Sequence, residues 1–129
     1  MSSVQVGSRT RVEVAINSTD LPNNVTQRLL APDDGFLAEL AVVVTSAVTT
    51  GGTIKVQNSA GQDVGGLSVT IPNGAAVGTI VKATATKGDL NRPCVRDSLV
   101  TLVPAGFATA GAARAALTVR SNDNPQQPY

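Results

Sequence analysis

The chain has no histidine and no tryptophan, a single cysteine (Cys94), a single tyrosine (Tyr129) and two phenylalanines (Phe36 and Phe107) among its 129 residues. An active site must place a base, a nucleophile or a metal ligand, and this inventory offers few candidates, so no enzymatic activity and no cofactor is expected. One cysteine excludes an intramolecular disulfide and cannot make a metal site alone. Ten basic against nine acidic residues leave a net charge of +1, too little for a global field that steers toward nucleic acid. Aromatic platforms for stacking bases are also scarce. No stretch approaches the roughly 20 apolar residues of a membrane span; the longest apolar run, Leu40 to Val44, suits a strand. Met-Ser-Ser-Val-Gln-Val-Gly at the start has neither a basic nor an apolar region, so no secretory signal is expected there. Synthesis in a reducing cytoplasm follows as the expectation.

What is abundant is small and aliphatic. Hydrophobic residues make up 42% of the chain while aromatics make up 2%, so the core must be built largely from Ala, Val and Leu. Such side chains bury little area each, at about 25 cal/mol per Å² of apolar surface. A lone protomer should therefore have a thin core that subunit contacts reinforce.

Period-two alternation recurs along the chain. Thr10, Val12, Val14 and Ile16 alternate with Arg9, Arg11, Glu13 and Ala15, followed by a turn-rich stretch from Ser18 to Asn24. Residues 1–24 read as an N-terminal arm, or as the first strand of the main fold. Thr26 to Ala31 is a short strand closed by Pro32-Asp33-Asp34-Gly35. Phe36, Ala38, Leu40, Val42 and Val44 form the inward set of the longest strand, whose other face, Leu37 to Val43, is also mostly apolar. Further strands are expected at Thr53 to Asn58, Leu67 to Ile71, Thr79 to Thr86, Leu99 to Val103 (stopped by Pro104) and Ala112 to Arg120. A helix competes over Ala112 to Leu117, where the alanine run has high helix propensity. The result is an all-β domain over residues 25–120, an about eight-stranded β-sandwich of jelly-roll-like type. Residues 121–129 read as a flexible tail.

Each chemical candidate has a plain structural account. Asp33-Asp34 is a turn pair. Gly51-Gly52 and Gly65-Gly66 are hairpin and bulge glycines, since neither leads into a helix that could hold an anion. Arg92 and Arg96 flank Cys94 and could lower its pKa, but no histidine is available as its base. Asn17-Ser18-Thr19 and Asn24-Val25-Thr26 match the glycosylation sequon, a coincidence without a signal peptide. Arg9, Arg11 and Arg28 are candidates for a basic patch. With Val12 and Val14 they form the expected contact set toward another protein or subunit.

Four segments carry a resemblance: Gly35-Phe36-Leu37-Ala38-Glu39-Leu40, Thr50-Gly51-Gly52-Thr53-Ile54-Lys55-Val56, Val64-Gly65-Gly66-Leu67-Ser68-Val69-Thr70-Ile71 and Pro104-Ala105-Gly106-Phe107-Ala108-Thr109-Ala110-Gly111. From Gly35 to Val119 the chain resembles the decoration, or cement, proteins of tailed-phage capsids. Where relatives tend to read Gly-Asp before the strand near Leu99, this chain has Arg96-Asp97-Ser98. The resemblance implies a virion protein, made in the bacterial host cytoplasm, on the outer capsid surface. It would bind the major capsid protein and itself, as a homotrimer before a dimer, and stabilise the DNA-filled head. A carbohydrate- or receptor-binding module of a phage fibre or adhesin is the alternative. Neither nucleic acid nor membrane is an expected partner. If subunit contacts reinforce the thin core, the thermal midpoint should fall across a hundredfold dilution; a constant midpoint would show a self-sufficient protomer.

Overall fold

A computed structural model describes residues 9–120, and every regular element in that range is a strand. The order is β1 (Arg9–Ile16), β2 (Gln27–Leu30), β3 (Gly35–Ser46), β4 (Gly52–Gln57), β5 (Asp63–Ile71), β6 (Ile80–Thr84), β7 (Pro93–Cys94), β8 (Leu99–Ala105) and β9 (Ala112–Arg120). They form two antiparallel sheets, one in the order β1-β9-β3-β6 with the short β7 also on β3, the other in the order β2-β8-β4-β5. Most successive strands cross between the sheets, the exceptions being the β4–β5 hairpin and the β6–β7 step, and first and last strands lie side by side. That order is two nested Greek keys, a jelly roll.

Alternation explains which face turns inward. Leu40, Val42 and Val44 of β3, Ala113, Ala115, Leu117 and Val119 of β9, and Ile54 and Val56 of β4 are all buried. So are Val100 and Leu102 of β8 and Leu67, Val69 and Ile71 of β5. Phe107 is the one aromatic among these buried core residues, and the core is otherwise aliphatic, as the composition requires.

Several sequence expectations change in detail. Of residues 1–24, Arg9–Ile16 forms β1, paired with β9 from Arg9↔Arg120 to Ile16↔Ala113. Its apolar face packs on the sandwich's own core through Ile16, with Val12 and Val14 partly buried beside it. Residues 1–8 and the tail at 121–129 lie outside the described range. The alanine run is strand, because β9 sits between β1 and β3 and tertiary pairing overrides helix propensity. Phe36 is only half-buried: a register shift between Leu37 and Glu39 turns Leu37 inward instead. Pro104 does not stop β8. It pairs opposite Ile54 of β4, beyond Leu102 where pairing with β2 ends, so its missing N–H leaves no strand unmet on the outer side.

Glycine has a specific task at one corner. Gly66 sits at φ +84°, and a Cβ there would lie 2.5 Å from the Thr84 carbonyl oxygen. The carbonyl of neighbouring Gly65 accepts a hydrogen bond from the Thr86 amide at 2.7 Å. This backbone approach ties the β5 edge of one sheet to the β6 edge of the other.

At the opposite end Asn24, with φ +55°, clamps two loops together. Its Nδ2 donates to the Phe107 carbonyl and its Oδ1 accepts from the Phe107 amide, both at 2.9 Å. The carboxamide imitates a strand partner, and its sequon asparagine is thereby engaged. Asp97 adopts φ +66°, a conformation that glycine adopts freely and aspartate tolerates. Its amide donates to the Ala31 carbonyl at 2.9 Å, so the turn before β8 closes despite the Arg96-Asp97-Ser98 departure. Asn24→Ala should lose both clamp bonds and cost about 2 kcal/mol in urea unfolding, whereas Asn24→Asp, which keeps the acceptor alone, should fall between.

Candidate functional site

The outward face of the β1-β9-β3-β6 sheet assembles side chains that are distant in sequence. Register places Arg11, Thr118, Glu39 and Thr84 in one row across four strands. The next row is Glu13, Ala116, Ala41 and Lys82, and the third is Ala15, Arg114, Val43 and Ile80. Beyond the first row, Arg9 lies opposite Arg120 and Arg120 opposite Phe36.

This arrangement makes a trough. Ala41 and Ala116 stop short at the middle of the sheet, while Arg11 and Glu13 rise on the β1 side and Lys82 and Ile80 on the β6 side. Two adjoining hollows result, of about 280 and 230 Å³, and Arg11, Ala41 and Lys82 line both. Ile80 and Val43 give one end an apolar character, and Ile80 is 60% exposed. Glu39, Thr84 and Thr118 make the other end polar.

Charge on this face is concentrated. It holds Arg9, Arg11, Lys82, Arg114 and Arg120 against Glu13 and Glu39, five cations less two carboxylates, in a chain whose total is only +1. Arg114 Nε donates to Glu13 Oε1 at 2.7 Å, and Arg9 approaches Glu39 at 4.0 Å. The hydrogen bond from Arg114, then its charge, holds the Glu13 carboxyl below its ordinary value. Among the described residues, Arg11 and Lys82 have no carboxylate within ion-pair distance.

The structure divides the expected contact set. Arg9 and Arg11 are on this face, Val12 and Val14 point the other way into the protomer's core, and Arg28 is exposed on the opposite sheet. Period two forces the first separation, since neighbours along a strand face opposite sides. Lys82, Arg114 and Glu39 were not singled out from sequence. Their alternation with Val81, Ala83, Ala113 and Leu40 put each on a polar face, but the strand order that unites those faces is a tertiary fact.

Cys94 is the other chemical candidate, and its environment reverses the sequence expectation. Burial, then the charges of Asp34 and Asp33, push its thiol up from 9.0 to about 11. Arg96, expected to lower it, is instead paired with Asp33 at 3.3 Å. Arg92 is buried, with its guanidinium 5.1 Å from the centre of the Phe36 ring. Asp33 and Asp34 thus serve the turn, Asp34 Oδ1 accepting from the Arg96 amide at 2.7 Å. Among the described residues no cluster of Cys, Asp or Glu is placed to hold a metal ion.

No protein-family model matches the chain, and no curated protein matches it. Solved structures show the fold. A chain of the cyanophage Pam1 capsid asymmetric unit is 14% identical with a TM-score of 0.50, over 94% of this chain and 91% of that one. Looser likenesses are to the SPBc2 prophage-derived protein YomS (12% identity, TM-score 0.47, 90% and 99% covered) and to a carbohydrate-binding module, CsCBM6-3 of Clostridium stercorarium, solved with cellobiose (16%, 0.43, 74% and 66%). The protein is a jelly-roll β-sandwich, a fold it shares with that chain of the Pam1 capsid asymmetric unit.

A thiol pKa raised on folding stabilises the protonated form, so its contribution is complete below pH 9.0, the unfolded value, and is lost as pH rises through about 11. Thiol-reagent labelling of native protein should therefore be slow at pH 8 and accelerate toward pH 11. Cys94→Ala should flatten the alkaline limb of a stability-against-pH curve.

Proposed function

We infer that the protein is a structural component of a phage virion, one that binds the outer surface of the capsid and bridges major capsid protein subunits around the packaged genome. The observation that carries this reading is the outward face of the β1-β9-β3-β6 sheet. It is broad, cationic and mounted on four paired strands, with nothing among the described residues covering it. Such a surface suits protein docking: charge gives encounter rate and register, and small residues let a partner's backbone approach. The shared fold with a chain of the Pam1 capsid adds support, since that chain is part of a cyanophage capsid asymmetric unit.

Stabilisation then follows from linkage. A protein that binds only the expanded, filled lattice lowers the free energy of that state by an amount set by its concentration over its Kd. Subunit bridging multiplies modest contacts by effective concentration. Self-association as a homotrimer would match the threefold positions of such a lattice.

Purified protein mixed with undecorated DNA-filled heads should co-sediment with them saturably and raise the temperature at which they release DNA. The double variant Arg11→Glu, Lys82→Glu should keep its thermal midpoint yet lose most of this binding, and the loss should shrink as salt rises from about 0.05 to 0.5 M. A wild-type protein that stays in the supernatant at saturating concentration removes the proposal.

A further inference from the structure

We propose that the trough between Arg11 and Lys82 receives an extended acidic segment of the partner protein, whose backbone lies along the alanine floor and whose carboxylates reach the two walls. This rests on the docking role proposed above and specifies its ligand. Three features of the face select that occupant.

The first is shape. From Glu39 to Val43 the floor runs four residues along β3, about 13 Å, and three interstrand spacings separate β1 from β6, roughly 14 Å. A single extended chain fits lengthwise in that space, while a helix of about 10 Å diameter is too wide once the long side chains of both walls stand in it. Ala41 and Ala116 supply the depth that a backbone needs.

The second is charge. Arg11 and Lys82 are exposed cations with no carboxylate within ion-pair distance among the described residues, one on each wall, and both border both hollows. Neighbouring side chains of an extended segment point to opposite sides, so two adjacent carboxylates would meet one wall each. Glu13 does not compete for that role, because Arg114 already holds it at 2.7 Å.

The third is polarity along the groove. Ile80 and Val43 at one end are apolar and accessible, and would take an aliphatic side chain one or two positions from the acidic pair. A neutral oligosaccharide has no charge for Arg11 and Lys82, and no aromatic side chain lines either hollow for a sugar ring to stack on.

The test is fluorescence anisotropy with a labelled peptide containing two adjacent glutamates and one leucine, against the full chain. Saturable binding is expected, weakened about tenfold or more when glutamines replace the glutamates or in the variant Arg11→Glu, Lys82→Glu. Ala41→Leu, or Ala116→Leu if the first does not fold, should weaken it comparably by filling the floor with no change of charge. Lys87→Glu, a single charge reversal at a residue that lines neither hollow, should leave it unaltered. The inference is overturned by no binding up to about 1 mM, by equal loss in Lys87→Glu, by floor variants that bind as wild type, or by displacement of the peptide with a cello-oligosaccharide. Heads decorated by a protein that ignores the peptide would remove this inference and leave the virion reading standing; peptide binding by a protein that leaves heads bare would do the reverse.

Discussion

The antiparallel pairing of β3 with β9 is the constraint on which the molecule depends. It joins the longest strand to the last one, from Phe36↔Arg120 to Ser46↔Ala112, and every other strand of that sheet attaches to one of these two. Because side chains alternate, one register decides two surfaces together. Inward, it stacks Leu40 opposite Leu117 and Val42 opposite Ala115 in the core; outward, it sets Ala41 beside Ala116 in the trough. A slip of one residue would exchange these sets and destroy both. The shifts at Leu37/Glu39 and Val44/Ser46 confine irregularity to the ends of the strand.

The central rigidity contrasts with how the two sheets are joined at their margins. There the links are few and specific: the Gly65 carbonyl held by the Thr86 amide at one edge, and the Asn24 carboxamide on the Phe107 backbone between two end loops. An aliphatic core gives cohesion without direction, since dispersion and the hydrophobic effect are indifferent to angle. Directional hydrogen bonds at the margins supply the orientation that large aromatic side chains supply in other sandwiches. That division of labour answers the shortage of aromatic residues in the composition.

How much was legible in the sequence follows from which interactions are local. Strands at Ile54/Val56, Leu67/Val69/Ile71 and Leu117/Val119 announce themselves because alternation is written into adjacent residues, and Gly and Pro mark the turns between them. The identity of β1 as a paired edge strand was only half legible: Arg9 to Ile16 alternates clearly, but whether its apolar face meets its own core depends on β9, about a hundred residues away. Phe36 and Pro104 misled for a related reason, since a register shift and a strand that ends early are properties of pairs of strands. The trough was illegible as a unit. Arg11, Ala41, Lys82 and Ala116 come from four strands, and only the jelly-roll order brings them side by side. Cys94 shows the same limit in chemistry, for sequence neighbours suggested cationic surroundings and the fold supplied burial and Asp33 and Asp34.

The cationic face also fixes which changes in surroundings a bound partner would notice. Its positive groups are arginines and one lysine, and the chain has no histidine, the side chain whose ordinary titration falls between about pH 5 and 8. No such side chain stands on this face, while counter-ions reach Arg9, Arg11, Lys82 and Arg114 because they are exposed to solvent. A contact made through this face would owe none of its pH response in that range to a histidine of this chain, and its exposed charges would make it sensitive to salt.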